Sequence, residues 1–214
     1  MGSILDMIRS ADAVLMVVDV QNDFCHESGA IAKRGVDVSL MQRVVPAILD
    51  LVQVARDCRI PVVFTKSSHS VWTDSPIWME RSSEANLREA PACRAGEWGE
   101  DSYLVTPAAE DRVVTKHRYS AFYGTDLDLT LRARGIENIV LTGVMTNVCV
   151  ESTARDACIR DYRVFLVDDC CATATVEEHE ATVHNIGAYF GTVVSAEQVR
   201  LAMRRPIQKS IQGR

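Results

Sequence analysis

The chain has 214 residues, 47% of them hydrophobic and 24% charged, with a formal net charge of −6. This balance suits one soluble folded core and excludes a disordered chain, and no apolar run approaches the roughly 18 residues that a membrane span requires. The negative charge argues against nucleic acid or an anionic membrane as a partner, because both demand a basic footprint.

Met1 to Asp6 lacks the basic, apolar and small-residue sections of a secretory signal. The seven cysteines, at 25, 58, 93, 149, 158, 170 and 171, form an odd set with no CxxC pair. Reduced thiols and a cytoplasmic location are expected.

Val14 to Val18 is a continuous apolar run ending at Asp19. Met41, Val44, Val45, Ile48, Leu51, Val52 and Ala55 follow helical spacing, with Ser39 as a candidate cap, and Pro61 to Thr65 returns as a strand. Strand, helix and strand with buried apolar runs make a βαβ unit and imply a parallel sheet. The rhythm resumes with a strand at 112–115, a helix at 126–134 closed by Gly135, and a strand at 138–142. A helix at 147–160, a strand at 163–167, a helix from 177 to about 189 and a strand at 192–194 complete it. The expected fold is α/β: a three-layer αβα sandwich around a doubly wound, largely parallel six-stranded sheet of Rossmann-like kind. One domain is expected over residues 1–214.

Residues 66–111 break the rhythm and carry all three tryptophans, Trp72, Trp78 and Trp98. An insertion of this kind is usually functional, and the tryptophans suit a lid or pocket wall as well as a subunit interface. Arg204, Arg205, Lys209 and Arg214 read as a solvated basic tail.

Cys149 lies in Gly143-Val144-Met145-Thr146-Asn147-Val148-Cys149-Val150-Glu151, where the strand runs into a helix. With Asn147 as N-cap, Val150, Ala154, Ala157 and Cys158 form the packed stripe, and Cys149 falls about 125° from its centre. Position alone leaves two readings, a small buried hydrophobe or a nucleophile whose thiolate the helix N-terminus favours. In an open parallel sheet, ligands bind beyond the carboxyl ends of the strands. That rule gathers Asp19, Lys116 and Cys149 at one edge: a base, a cation and a thiol, the parts needed for covalent catalysis.

Val14 to Phe24, with its Asp19-Val20-Gln21-Asn22-Asp23 core, resembles the opening motif of the isochorismatase-like cysteine hydrolases. Thr115 to Phe122 resembles that family's lysine segment, and Gly143 to Val150 its nucleophile segment. The resemblance implies that Asp19, Lys116 and Cys149 form a catalytic triad and that a non-proline cis peptide joins Val144 and Met145. The amides of Met145 and Cys149 are the candidate oxyanion hole. Within the family, a cysteine at position 149 favours amide hydrolysis through a thioester over vinyl-ether cleavage. The flanking residues are most similar to those of ureidoacrylate and biuret-type hydrolases, which act on small linear amides.

Tyr119 and Phe122 are expected to line the pocket, with Gln21, Asn22 and Asn147 offering amide contacts. Phe24 lies beside them, although the core would suit it as well. The alternatives are a nicotinamidase-type or N-carbamoyl amino acid amidase, or an inactive α/β interaction protein. No cofactor is expected, because neither GxGxxG nor GxxxxGK[ST] is present. No metal is expected either: His69 and Asp74 are too few ligands, and His69 reads as a solvated loop residue. His179 and His184, a near miss for HExxH, read as helix surface, and Cys170 and Cys171 as unbridged thiols. The expected partners are a small-molecule amide and further copies of the chain in a homodimer or homotetramer, with no nucleic acid and no membrane.

Overall fold

The computed structural model describes residues 4–9, 11–81 and 91–204. Six strands, β1 (Ala13–Val18), β2 (Val62–Ser67), β3 (Arg112–Lys116), β4 (Asn138–Val144), β5 (Arg163–Ala172) and β6 (Thr192–Val194), form one sheet in the order β3-β2-β1-β4-β5-β6. Every neighbouring pair is parallel.

Strands buried on both faces need apolar side chains at every position, which is why they appear in the sequence as unbroken runs. Alternation divides them between two cores. Leu15, Val17, Val140 and Phe165 face one, while Val14, Met16, Val18, Leu141 and Leu166 face the other. The longer helices are α1 (Ile4–Arg9), α2 (Ser39–Asp57), α3 (Leu127–Ala133), α4 (Glu151–Ile159), α5 (Val176–Asn185) and α6 (Ala196–Arg204). The first core receives α2 through Met41, Val45, Ile48 and Val52, and α6 through Val199, Ala202 and Met203. The second receives Leu127 and Leu131 of α3 and Ala154 and Ala157 of α4.

The boundaries differ from the sequence reading in three places. Ser39 is the first helical residue of α2, not its cap; Val38 is the cap residue, and the Asp37 carboxylate accepts from the Ser39 amide at 2.8 Å. β5 continues past Val167 to Ala172, with a register shift between the Leu141–Leu166 and Gly143–Cys171 pairs. Cys170 and Cys171 therefore lie on opposite faces of a strand, both buried and both free. The third difference is α6, a helix the sequence reading left out; its last residue is Arg204, while Arg205, Lys209 and Arg214 lie outside the described residues.

Within 66–111, the described backbone after β2 has short helical turns at Pro76–Met79 and Trp98–Glu100 and isolated bridges pairing His69 with Arg94 and Ser102 with Gln21. Residues 82–90 of that stretch lie outside the described residues. No described helix is long and apolar enough to cross a membrane.

Candidate active site

The strand order reverses between β1 and β4, so the loops leaving their carboxyl ends diverge and open a crevice there. Asp19 follows β1 directly, in a left-handed conformation with φ 51°, and is fully buried. Two hydroxyls of β2 hold its carboxylate: Thr65 Oγ1 donates to Oδ1 at 2.6 Å and Ser67 Oγ to Oδ2 at 2.9 Å. They stand two residues apart and so share one face of the strand, with Thr65 in register with Val18.

Lys116 ends β3 and is also fully buried. Its Nζ lies 2.6 Å from Asp19 Oδ2, and it donates to Ser67 Oγ at 2.9 Å, the Arg118 carbonyl at 3.1 Å and Cys149 Sγ at 3.4 Å. Burial works against this ammonium, but the Asp19 carboxylate and the Cys149 sulfur outweigh it and raise its pKa above the ordinary lysine value. The lysine is therefore a permanent cation at neutral pH.

β4 reaches the site through Gly143, whose φ is +117°. A Cβ there would stand 2.1 Å from the Val18 carbonyl oxygen, so only glycine lets β4 approach β1 just before Asp19. The Val144–Met145 peptide that follows is cis. The chain then enters a π-helical turn, Thr146–Val150, before α4.

That turn alters two parts of the sequence reading. Met145, not Asn147, precedes the helix, and the Asn147 side chain accepts from Thr173 Oγ1 at 2.6 Å. Because an angular count of 100° per residue does not hold through a π turn, Cys149 is not turned away from the packed stripe. It is 6% exposed, packs with Val150 and Ala154 in the second core, and still opens on a cavity.

Burial pushes the Cys149 thiol up to about 12; the Lys116 ammonium pulls against this, and the Asp19 carboxylate adds to the rise. Desolvation outweighs the ammonium, so the resting site is a neutral thiol beside a carboxylate–ammonium pair.

The cavity above Cys149 measures about 350 Å³, toward the small end for ligand pockets. Phe24, Trp78, Tyr119, Met145 and Val148 supply apolar wall, and Arg34, Asp74, Arg81 and Arg118 supply charge. His69 also lines it, half-buried rather than solvated: Nδ1 lies 2.8 Å from Asp74 Oδ1 and the ring stacks on Trp78. Burial lowers its pKa despite the neighbouring Asp74.

Of the other residues picked out by sequence, Phe24 and Tyr119 are at the cavity wall. Gln21 and Asn22 instead tie down the loop at 98–102. Gln21 Nε2 donates to the carbonyls of Ser67 and Glu100 and its Oε1 accepts from the Ser67 amide, while Asn22 Nδ2 donates to the Trp98 carbonyl. Phe122 is buried in the second core against Tyr162, away from the cavity. His179 is not bare helix surface either: it sits between Thr146 Oγ1 at 3.0 Å and Asp168 Oδ1 at 2.8 Å. Among the described residues there is no cluster of three or more His, Cys, Asp or Glu able to hold a metal.

The sequence reading passed over Thr65 and Ser67, although hydroxyls at i and i+2 ending an apolar strand are a legible signal. It placed Trp78 in the insertion but gave no role to Arg81 or Arg118. Nothing local points to those two, since the loop fold alone brings them to the cavity.

The model of the isochorismatase domain matches residues 13–198. A ureidoacrylate amidohydrolase, RutB, of Methylobacterium radiotolerans is 36% identical over 211 residues, covering 92% of this chain and 81% of the relative. Among solved structures, a cysteine hydrolase from Pseudomonas syringae pv. phaseolicola superposes with TM-score 0.80 at 25% identity, covering 90% of this chain and 92% of that one. An N-carbamoylsarcosine amidase from Thermoplasma acidophilum gives TM-score 0.70 at 29% identity, covering 87% and 97%. The fold and these relatives thus define a hydrolase of the doubly wound α/β class. This chain belongs to the isochorismatase family.

Proposed function

We propose that the protein is a cysteine amidohydrolase that cleaves the carbon–nitrogen bond of a small linear amide, ureido or carbamoyl compound through a thioester on Cys149. The observation that carries this reading is the contact set of Lys116 Nζ, 2.6 Å from Asp19 and 3.4 Å from Cys149, with Cys149 at the cavity wall.

As the thiol attacks the substrate carbonyl, its proton passes to Asp19, the carboxylate that shares Lys116 with it. A thiol pushed up to about 12 is not ionised in advance, so deprotonation and attack are coupled, and Lys116 stabilises the sulfur charge as it forms. The amides of Met145 and Cys149 receive the oxyanion. Asp19 then returns the proton to the leaving nitrogen, the C–N bond breaks, and the acyl group remains on sulfur. Water enters, gives a proton to Asp19 and attacks the thioester; the acid leaves and the proton returns to the thiolate. The ureidoacrylate amidohydrolase and N-carbamoylsarcosine amidase relatives support a ureido or carbamoyl substrate.

The test is ammonia release over biuret, ureidoacrylate-like amides, N-carbamoyl amino acids and nicotinamide, by the protein and by Cys149→Ala. Turnover of a linear ureide that disappears in the variant supports the reading; turnover that persists in the variant removes it.

A further inference from the structure

The cavity carries positive charge that the chemistry at Cys149 does not use. Lys116 is neutralised by Asp19. Asp74 is the one carboxylate among the described lining residues, and both its oxygens are taken, Oδ1 by His69 Nδ1 at 2.8 Å and Oδ2 by Arg94 Nη1 at 2.5 Å. Three arginines remain: Arg34, which has an interaction of its own, and Arg81 and Arg118. Arg81 donates from Nε to Tyr119 Oη at 2.7 Å and from Nη1 to the Trp78 carbonyl at 2.5 Å, with its guanidinium carbon 3.9 Å from the Trp78 ring centre. Arg118 donates from Nη1 to the carbonyls of Thr73 at 3.0 Å and His117 at 2.6 Å, and lies 4.5 Å from the same ring.

All these partners are neutral, so neither guanidinium meets a carboxylate among the described residues. Nη2 of each has no protein partner among them. Two guanidinium groups held by backbone carbonyls and the Tyr119 hydroxyl and stacked over one indole meet no countercharge among the described residues, the arrangement that recognises a planar anion. We propose that Arg81 and Arg118, braced by Trp78, bind a carboxylate at the far end of the substrate, so that the protein selects ureido or carbamoyl acids over neutral ureas. Phe24 and Val148 would flank the short apolar link between the two ends. This assignment rests on the hydrolase reading above and narrows its substrate class.

The test compares kcat/KM for 3-ureidopropionate, an anion, with that for propylurea, which is neutral, in the unmodified protein, Arg81→Met and Arg118→Met. The preference is a ratio taken within each variant, so a general loss of activity cancels. The expected preference for the anion is about 10- to 100-fold, as for a hydrogen bond to a charged group, and it collapses toward one in either variant. A second readout needs no turnover: the ratio of Cys149 alkylation rates with iodoacetate and iodoacetamide, followed by peptide mass spectrometry, falls about threefold or more in both variants. If neither urea is turned over, this ratio alone decides. Equal handling of both ureas, or alkylation ratios unchanged by both substitutions, overturns the carboxylate site. If that result comes with ammonia release abolished by Cys149→Ala, the hydrolase reading survives; ammonia release that survives Cys149→Ala removes the hydrolase reading instead.

Discussion

Lys116→Met isolates the electrostatic design of the site. The lysine is fully buried and its ammonium neutralises a fully buried carboxylate at 2.6 Å. Methionine fills nearly the same volume, so the perturbation is electrical rather than steric. It leaves Asp19 buried with two hydroxyl donors but no countercharge. Breaking a buried pair in this way costs about 3–5 kcal/mol, whereas replacing both partners costs much less. The double variant Asp19→Asn/Lys116→Met is therefore expected to recover part of the stability lost by the single one.

Urea unfolding at pH 7, fitted for midpoint and slope, measures both effects. The pH dependence adds a sign. A lysine pKa raised above its unfolded value contributes stability that is fully present below about pH 10.4 and lost as pH rises through the folded pKa. The unmodified protein thus loses more stability on that alkaline limb than Lys116→Met, which keeps only the loss due to its buried thiols and Tyr162, whose pKa values burial raises. A single variant within about 1 kcal/mol of the parent, or a double variant less stable than the single, would refute the idea that a desolvated ion pair governs this site.

Gly143→Ala should destabilise by about 3 kcal/mol or more, because its methyl would sit 2.1 Å from the Val18 carbonyl at a φ of +117°; thermal unfolding checks this, and a near-neutral effect would contradict it. Phe122→Ala should cost about 3–5 kcal/mol while leaving KM close to that of the parent, since the ring is core rather than cavity wall. A large rise in KM with intact stability would return Phe122 to the pocket. His69 has a lowered pKa in the fold, so the unfolded chain binds its proton more readily and the stability tied to this residue is present above about pH 6.5 and fades as pH falls. Urea midpoints at pH 5 and 7 should differ less in His69→Gln than in the parent.

The strands were legible because burial on both faces leaves continuous apolar runs, and the site's edge followed from the rule for open parallel sheets. Asp19, Lys116 and Cys149 could therefore be gathered from three distant stretches with no contact in view. The turn at Thr146–Val150 was not legible, since a π turn and an α turn place the same residues at different angles. That single ambiguity misassigned Asn147 as a cap and set Cys149 apart from the packed stripe. α6 was missed for a different reason: its apolar positions Val199, Ala202 and Met203 lie among charges, and only docking against α1 and α2 makes them core. Phe122 illustrates a third limit, for neighbouring residues such as Tyr119 and Phe122 can face opposite environments once the chain leaves a regular element. The thiol's protonation state depends on desolvation, a quantity that spacing along the chain does not carry.

The mechanism turns on a covalent bond between substrate and Cys149. Acid-quenching the protein during turnover of a ureido substrate and mapping its peptides by mass spectrometry tests it directly. The expected result is an acyl mass increment on the peptide bearing Cys149, absent in Cys149→Ala together with all ammonia release. Undiminished release by Cys149→Ala, or an acyl group carried by another residue, would contradict it.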